Sequence, residues 1–263
     1  AVLTVLLVAL LLPLAQGSAW GWSSARTLGL LAGFGVLAVA FVLLELRTRR
    51  PLVDIRATAR KPIVLTNVAT LMFGFTIFVS LIGTASYVEA PRRTGYGFDS
   101  SITVAGLCLL PAGLLMLLLA PAAARLIVSI GAHRTLTIGA VIVALAWVQR
   151  IGVTSSIWYV VLGNTLVGAG TGIAYAAMPA LINHYSPASE LAAANGLNAL
   201  SRTVGSSLAS AIGASLLTLS TVTVAGIVLP SLTAYRALFG ICAAAAASAA
   251  VIALFIRPGA DPG

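Results

Sequence analysis

Long, nearly charge-free apolar runs are the feature that most constrains how this chain folds. Each run is long enough, or nearly so, to cross about 30 Å of hydrocarbon at ~1.5 Å per helical residue. Only 8% of the 263 residues are charged, too few to cover a water-exposed surface. The sequence therefore predicts an all-α integral membrane protein. Its eight transmembrane helices are expected over residues 1–15, 27–46, 63–88, 102–127, 135–152, 157–182, 200–224 and 233–256.

Small residues recur along these runs, as close packing of helices in a bilayer requires. Gly205, Ala209 and Gly213 form a small-residue row at a spacing of four, which indicates a helix-packing surface. The glycines of "VGAGTGIAYAA", residues 167–177, alternate in the middle of a predicted span. A dinucleotide-binding fingerprint needs a preceding strand and a later acidic residue. These glycines are therefore also interpreted as packing positions.

A basic stretch, "ELRTRRPLVDIRATARK", separates the second and third runs. Its six Arg and Lys residues would oppose membrane insertion by ~15 kcal/mol or more, so the stretch is predicted to be a loop. Excess Lys and Arg mark the cytoplasmic side, which also predicts both termini in the cytoplasm. Binding of anionic lipid by this loop stays an alternative. Arg125, Arg134, Arg202 and Arg257 fall on the same predicted side, and Arg26, Arg92, Arg93, Arg150 and Arg236 on the other.

The net charge of +9 would suggest nucleic acid in a soluble protein. Here the basic residues lie between or at the ends of apolar runs, so membrane lipid is the predicted partner and nucleic acid is not. Arg150 and Arg202 are expected near the interfaces, where long side chains reach toward water. Cys108 and Cys242 lie inside apolar runs and are interpreted as buried hydrophobes. With no metal-ligand or nucleophile set, we expect no enzyme, cofactor or metal.

Polar side chains share one face of two predicted helices. Such faces bond helices together or line a transport cavity, and the pattern leaves both readings open. No acidic residue is placed at mid-membrane depth, so a proton-carrying acid is expected elsewhere. The candidate cavity-lining residues are Asn67, Thr70 and Phe73 on the third run, and Asn164, Thr171 and Tyr175 on the sixth.

Several segments, in this order, resemble the major facilitator superfamily. They are "LAQGSAWGW", "ELRTRRPLVDIR", "TGYGFDSS", "AGLCLLPAGLLMLLLAPAAARL", "GAGTGIAYAAMPALI" and "ASELAAANGLNALSRTVGSSLASAIGASLL". Within that superfamily the chain is most similar to the fourteen-helix drug/proton antiporters of actinobacterial type. The resemblance implies proton-coupled export of small amphipathic or drug-like molecules by alternating access. A non-transporting membrane scaffold or subunit derived from a transporter half is the alternative.

The same resemblance divides the chain into segments. Residues 1–46 correspond to two linker helices, 47–62 to a basic cytoplasmic loop, and 63–256 to a carboxy-terminal six-helix bundle built as an inverted three-plus-three repeat. Residues 257–263 form a cytoplasmic tail. The resemblance also implies an amino-terminal six-helix bundle as the missing partner. Without that partner the chain is not expected to transport.

The family's cytoplasmic signature, Gly-x-Leu-x-Asp-Arg-x-Gly-x-Arg, has a weaker counterpart here in "ARLIVSIGAHR", residues 124–134. Val128 replaces the signature Asp and Ser129 replaces its Arg neighbour. An ionic latch at this loop is therefore in doubt. The residues expected to form a cytoplasmic gate loop are Arg125, Gly131 and Arg134.

Overall fold

The computed structural model describes residues 2–47, 59–152 and 156–256. Within them the chain is almost entirely helical, with one short β-hairpin. The predicted basic loop lies mostly outside the described residues, as does the predicted tail over residues 257–263. The helices are α1 (Val2–Trp20), α2 (Ala25–Arg47), α3 (Lys61–Phe78), α4 (Thr84–Glu89), α5 (Ile102–Leu118), α6 (Ala120–Ile130), α7 (Ala132–Gly152), α8 (Ile157–Tyr185), α9 (Leu191–Leu219) and α10 (Leu232–Leu254). The strands are β1 (Thr221–Val224) and β2 (Ile227–Pro230).

Serine hydroxyls begin three of the long helices. Ser101, Ser156 and Ser231 each accept a hydrogen bond from a backbone N–H in the first turn of α5, α8 and α10. These bonds satisfy donors that have no partner within the helix. Gly131 joins α6 to α7 with a φ of 89°, a backbone conformation that glycine adopts without steric cost. The predicted gate loop is therefore a one-residue corner between two helices.

The centre of the bundle is made of α3, α7, α8 and α10. Helix α7 packs between α8 and α10, α9 lies along α3, and α5 and α6 cover α8. Helix α1 packs on both α2 and α9, whereas α2 packs chiefly on α1. The largest buried side chains include Trp147, Tyr87, Tyr235, Phe73 and Phe239. The predicted division into linker helices, bundle and inverted repeat stays a prediction.

Alternating glycines let α8 approach two neighbouring helices. A methyl group added to Gly168 or Gly172 would overlap the backbone of α5, at Ala112 and Met116 respectively. One added to Gly170 would meet the carbonyl oxygen of Gly139 on α7. The interpretation of "VGAGTGIAYAA" as a packing motif is confirmed, and no dinucleotide site is formed by these glycines.

Five helical stretches are long and apolar enough to cross a membrane, or six if the bent pair α5–α6 is one span. The two helices of that pair meet at 44°. The prediction of eight spans is not confirmed among the described residues. The apolar part of α1, Thr4–Leu14, is short, and the 29-residue α9 carries Asn, Ser, Thr and Arg side chains. The α3–α4 stretch, Lys61–Glu89, is long and apolar enough to cross as one continuous span.

A β-hairpin follows α9 where the sequence predicts continued helix. The predicted run over residues 200–224 is wrong at both ends, because α9 begins at Leu191 and ends at Leu219. Ala225 and Gly226 form the two-residue turn, both with positive φ, the conformation typical of tight hairpins. The Tyr96 hydroxyl donates to the Pro230 carbonyl at 2.7 Å. Burial raises the pKa of Tyr96 above its usual range, which keeps this donor protonated.

Candidate functional site

The predicted cavity-lining residues divide into two separate polar clusters. The first, here the Asn67 cluster, comprises Asn67, Thr70, Phe73, Tyr175, Asn198 and Arg202, on α3, α8 and α9. The second, here the Arg150 cluster, comprises Ser80, Thr84, Arg150 and Asn164. Asn164 therefore does not bond with the other predicted residues. Thr171 is fully buried on α8, one turn before Tyr175, and its hydroxyl has no partner among the described residues.

Asn198 joins α9 to α3 within the Asn67 cluster. Its side-chain nitrogen donates to Asn67 Oδ1 at 2.9 Å and to Thr70 Oγ1 at 2.7 Å. The Thr70 hydroxyl in turn donates to the Thr66 carbonyl one turn earlier, at 2.9 Å. Because Thr70 uses its proton inside α3, it is left to accept the bond from Asn198. The cluster is thus a directional network between two helices.

Arg202 brings a cation to the same cluster. It lies near the middle of the 29-residue α9, so its expected position in a loop is wrong. The guanidinium carbon lies 4.2 Å from the centre of the Tyr175 ring, a cation–π contact. The Tyr175 ring also lies 6.2 Å from the Phe73 ring. Arg202 Nε and the Tyr175 hydroxyl are buried without a hydrogen-bond partner among the described residues.

The Asn67 cluster has an accessible layer above a buried one. Asn67, Tyr175 and Arg202 are partly exposed, whereas Thr70 and Phe73 are buried beneath them. The partly exposed groups of the cluster are therefore an amide, an aromatic ring and a guanidinium. These groups can contact a ligand that has an aromatic face and polar edges. The role of each residue in lining a cavity stays a prediction.

The Arg150 cluster is a buried polar node on α4, α7, α8 and the π-helical turn Val79–Gly83 between α3 and α4. Asn164 Oδ1 accepts hydrogen bonds from Ser80 at 2.9 Å, Thr84 at 3.0 Å and Arg150 at 3.0 Å. Arg150 also donates to Thr84 Oγ1 at 2.7 Å. Only 3% of Arg150 is exposed. The expectation that Arg150 reaches toward water is wrong, because its side chain turns into the bundle.

The predicted gate residues flank the α6–α7 corner. Arg125 and Arg134 are exposed on either side of Gly131. Val128, at the position of the signature Asp, is 88% exposed, so no side chain there bonds the corner to a neighbour. The corner instead borders a cavity of about 500 Å³. Gly131 and Arg134 line it together with His133, His184 and apolar residues of α6 and α8.

Sequence reasoning missed the three residues that organise the two clusters: Asn198, Arg202 and Arg150. A usable signal existed for the first two, because Asn198 and Arg202 are four residues apart and share a helix face. Their helix was predicted to begin at residue 200, which hid this spacing. No comparable signal marks Arg150, whose bonding partners come from distant parts of the chain.

A family model and several individual proteins are similar to this chain, and they agree on its family. Residues 64–263 match the family model described as Major Facilitator Superfamily. The chain is 30% identical over 217 residues to a tetracycline resistance determinant of Streptomyces rimosus, covering 81% of this chain and 60% of that protein. It is 28% identical to the tetracenomycin C resistance and export protein of Streptomyces glaucescens, over 76% of this chain and 36% of that protein. It is 25% identical to the multidrug resistance protein Stp of Mycobacterium tuberculosis, over 80% and 38% respectively. The chain thus spans about 60% or less of the length of these relatives.

Proposed function

The chain belongs to the Major Facilitator Superfamily, and we propose that it forms part of a secondary transporter that exports small, amphipathic, drug-like molecules. The predicted family is confirmed, as are its actinobacterial relatives and the multi-pass membrane character. The proposal of drug export is supported by three relatives whose names denote resistance to, or export of, antibiotics and other drugs. No observation favours the alternative of a non-transporting scaffold.

The observation that carries the proposal is the placement of Arg202 over Tyr175 near the middle of α9 and α8. A charged side chain at this depth in a membrane bundle is costly and typically marks a substrate or ion pathway. Transporters of this kind bind substrate near the bilayer midplane, between two halves that rock against each other. We propose that the Asn67 cluster is this chain's share of such a site.

The chemistry of the cluster suits an aromatic, amphipathic substrate. The Tyr175 ring offers an apolar face, while Asn67 offers an amide that donates and accepts hydrogen bonds. The guanidinium of Arg202 forms planar hydrogen bonds with oxygen atoms and stacks on aromatic rings. We propose that these three groups contact the substrate, with Thr70, Phe73 and Thr171 holding them from below. In this proposal Asn164 supports the bundle without touching the substrate.

Proton coupling and alternating access complete the proposal. Among the described residues, the membrane-capable helices carry glutamates only at their ends, at Glu45 and Glu89. A proton-carrying acid at mid-depth is therefore proposed to come from the amino-terminal six-helix bundle, the expected partner. The α6–α7 corner, with Arg125, Gly131 and Arg134, is proposed as a gate contact on the cytoplasmic side.

The test is drug efflux by the intact protein that contains this chain. It is expressed in a bacterium lacking its own efflux pumps, and export of a fluorescent aromatic drug is followed with and without a protonophore. Arg202→Met is expected to abolish export, whereas the matched control Arg236→Met, on the exposed side of α10, retains it. Full export by Arg202→Met would overturn the assignment of the site. Export that is unaffected by the protonophore would overturn the proposed proton coupling but not the assignment of the site.

A further inference from the structure

We propose that the Arg150 cluster is a binding site for a small monovalent anion of about the size of chloride. The ligand is held by the Arg150 guanidinium together with N–H and O–H donors of Asn164, Trp147 and Tyr87. This inference does not depend on the proposed export function, since it concerns a node that is separate from the Asn67 cluster.

The first support is an uncompensated buried charge. Arg150 is 3% exposed and, among the described residues, contacts only neutral groups. Its Nη1 bonds to the Thr84 hydroxyl and the Asn164 amide oxygen, and its guanidinium carbon lies 5.2 Å from the Trp147 ring centre and 4.5 Å from that of Phe239. A cation removed from water is costly unless an opposite charge accompanies it. An anion supplies that charge.

The second support is a set of unpaired donors on Arg150 and on residues packed around it: Asn164, which bonds to it, Trp147 beside its guanidinium, and Tyr87, whose ring lies 5.9 Å from that of Phe239. Arg150 Nη2, Asn164 Nδ2, Trp147 Nε1 and the Tyr87 hydroxyl are all buried without a hydrogen-bond partner among the described residues. Buried polar groups in folded proteins are nearly always bonded. Three of these four groups are donors only, and the fourth, a hydroxyl, donates as readily. The set therefore suits a ligand that accepts hydrogen bonds. An anion accepts them, whereas a cation does not.

The surrounding packing shows that the position of Arg150 is built into the sequence. A methyl group on Gly163 would overlap the side-chain stem of Arg150, so glycine at this position of α8 leaves room for the arginine. The Trp147 and Phe239 rings lie 5.3 Å apart, centre to centre, beside the guanidinium.

Burial limits what the ligand is. Trp147 and Asn164 are fully buried and Tyr87 is 2% exposed. A ligand of many atoms does not fit among such enclosed groups. A multiply charged anion would need more than one cation to neutralise it. Among the described residues, the cluster contains a single cation, Arg150. A single-atom monovalent anion meets both limits.

The experiment measures thermal unfolding of the intact, detergent-solubilised protein at constant ionic strength. Sodium gluconate is replaced stepwise by sodium chloride, and then by sodium bromide. A saturable rise in Tm of about 1–3 °C is expected for either halide at ~10 times its Kd. Arg150→Met is expected to abolish the rise, and the control Arg26→Met, an exposed arginine at the start of α2, to retain it. Equal Tm values in gluconate and halide, or an unchanged rise in Arg150→Met, would overturn the site.

A milder variant keeps the proposal testable if Arg150→Met does not fold. Trp147→Phe removes one neutral donor and retains an aromatic ring beside the guanidinium. It is expected to weaken the apparent halide affinity about ten-fold, the usual scale for one lost hydrogen bond to a charged group. An unchanged halide affinity in Trp147→Phe would remove Trp147 from the site. A bromide anomalous peak within hydrogen-bonding distance of Arg150 would locate the anion directly, and a peak elsewhere with none at Arg150 would overturn the assignment.

Discussion

Asn198 donates its side-chain amide to the Thr70 hydroxyl at 2.7 Å, across the interface between α9 and α3. The same nitrogen donates to Asn67 at 2.9 Å, so both of its hydrogens are used. Asn198 is 2% exposed. In a bilayer, hydrogen bonds of this kind between helices favour one register of the two helices over others. Asn198 therefore fixes how α9 presents Arg202 to α8.

Replacing Asn198 tests this network. Asn198→Ala removes two hydrogen bonds and leaves the Asn67 oxygen without this donor, so we expect a loss of about 1–3 kcal/mol in the free energy of unfolding. Asn195→Ala is the matched control, because Asn195 bonds at the exposed side of the same helix, to Asn183. Thermal unfolding in detergent gives both values. Equal destabilisation by the two substitutions would show that the buried network contributes no more to stability than the exposed hydrogen bond of Asn195.

Close contact between α3 and α9 gives a second prediction. A methyl group on Gly205 would overlap the carbonyl oxygen of Leu71, and one on Gly74 would overlap that of Arg202. Gly205→Ala therefore forces the helices apart, with an expected loss of about 1–3 kcal/mol in stability. Gly196→Ala, on the same helix in open space, is expected to be neutral or to stabilise α9 by up to ~1 kcal/mol. Denaturation of both variants in one detergent compares them directly.

The packing of helices was largely predictable from the sequence, because packing in lipid depends on small residues at short, regular spacings. The glycines of "VGAGTGIAYAA" and Gly205 were interpreted correctly, whereas Ala209 and Gly213 of the same row line a cavity. Spans were less predictable at the polar helix α9, whose Asn198 and Arg202 lower its hydropathy although they face the bundle. Apolar runs in a sequence are a better guide to helices that face lipid than to helices that form polar bonds with their neighbours.

The two polar clusters could be predicted only in part. Asn67, Thr70 and Tyr175 were chosen from their spacing on single helices, which sequence periodicity reveals. The position of Asn164 in a different cluster depends on Arg150, 14 residues away, and on Ser80, 84 residues away. Contacts between helices at such separations leave no periodic pattern in one sequence. The inward turn of Arg150 depends equally on the space left by Gly163 on the next helix.

Tyr175 separates a role in stability from a role in substrate binding. Its hydroxyl is buried and has no partner among the described residues, so Tyr175→Phe is expected to leave stability unchanged or to raise it by up to ~1 kcal/mol. Because the ring is the proposed substrate contact and the hydroxyl is buried, Tyr175→Phe is expected to retain drug efflux. Tyr175→Leu also removes the ring beneath Arg202 and is expected to lower stability by about 0.5–2 kcal/mol. Drug efflux is expected to fall several-fold in Tyr175→Leu, and equal efflux in Tyr175→Leu and Tyr175→Phe would exclude the ring from the substrate site.

The β-hairpin after α9 offers a prediction that is independent of transport. Ala225 has a φ of 52°, a region in which a side chain is strained. Ala225→Gly relieves the strain and is expected to raise stability by up to ~1 kcal/mol, while Gly226→Ala introduces strain at a φ of 81° and is expected to lower it. Thermal unfolding distinguishes the two signs. Destabilisation by Ala225→Gly would contradict the turn conformation.

The orientation of the bundle is open to labelling from each side of the membrane. Arg93 and Ser129 are both exposed, and the bent α5–α6 pair lies between them. If that pair crosses the bilayer once, cysteines at the two positions face opposite sides. The positive-inside rule places Ser129, next to Arg125 and Arg134, in the cytoplasm. A membrane-impermeant thiol reagent added to intact cells is therefore expected to label Arg93→Cys and not Ser129→Cys.

Cys108 and Cys242 are buried and give little background. Labelling of both positions from outside would show that α5–α6 re-enters without crossing, and labelling of Ser129→Cys alone would reverse the orientation. Either result would move the α6–α7 corner away from the cytoplasmic gate.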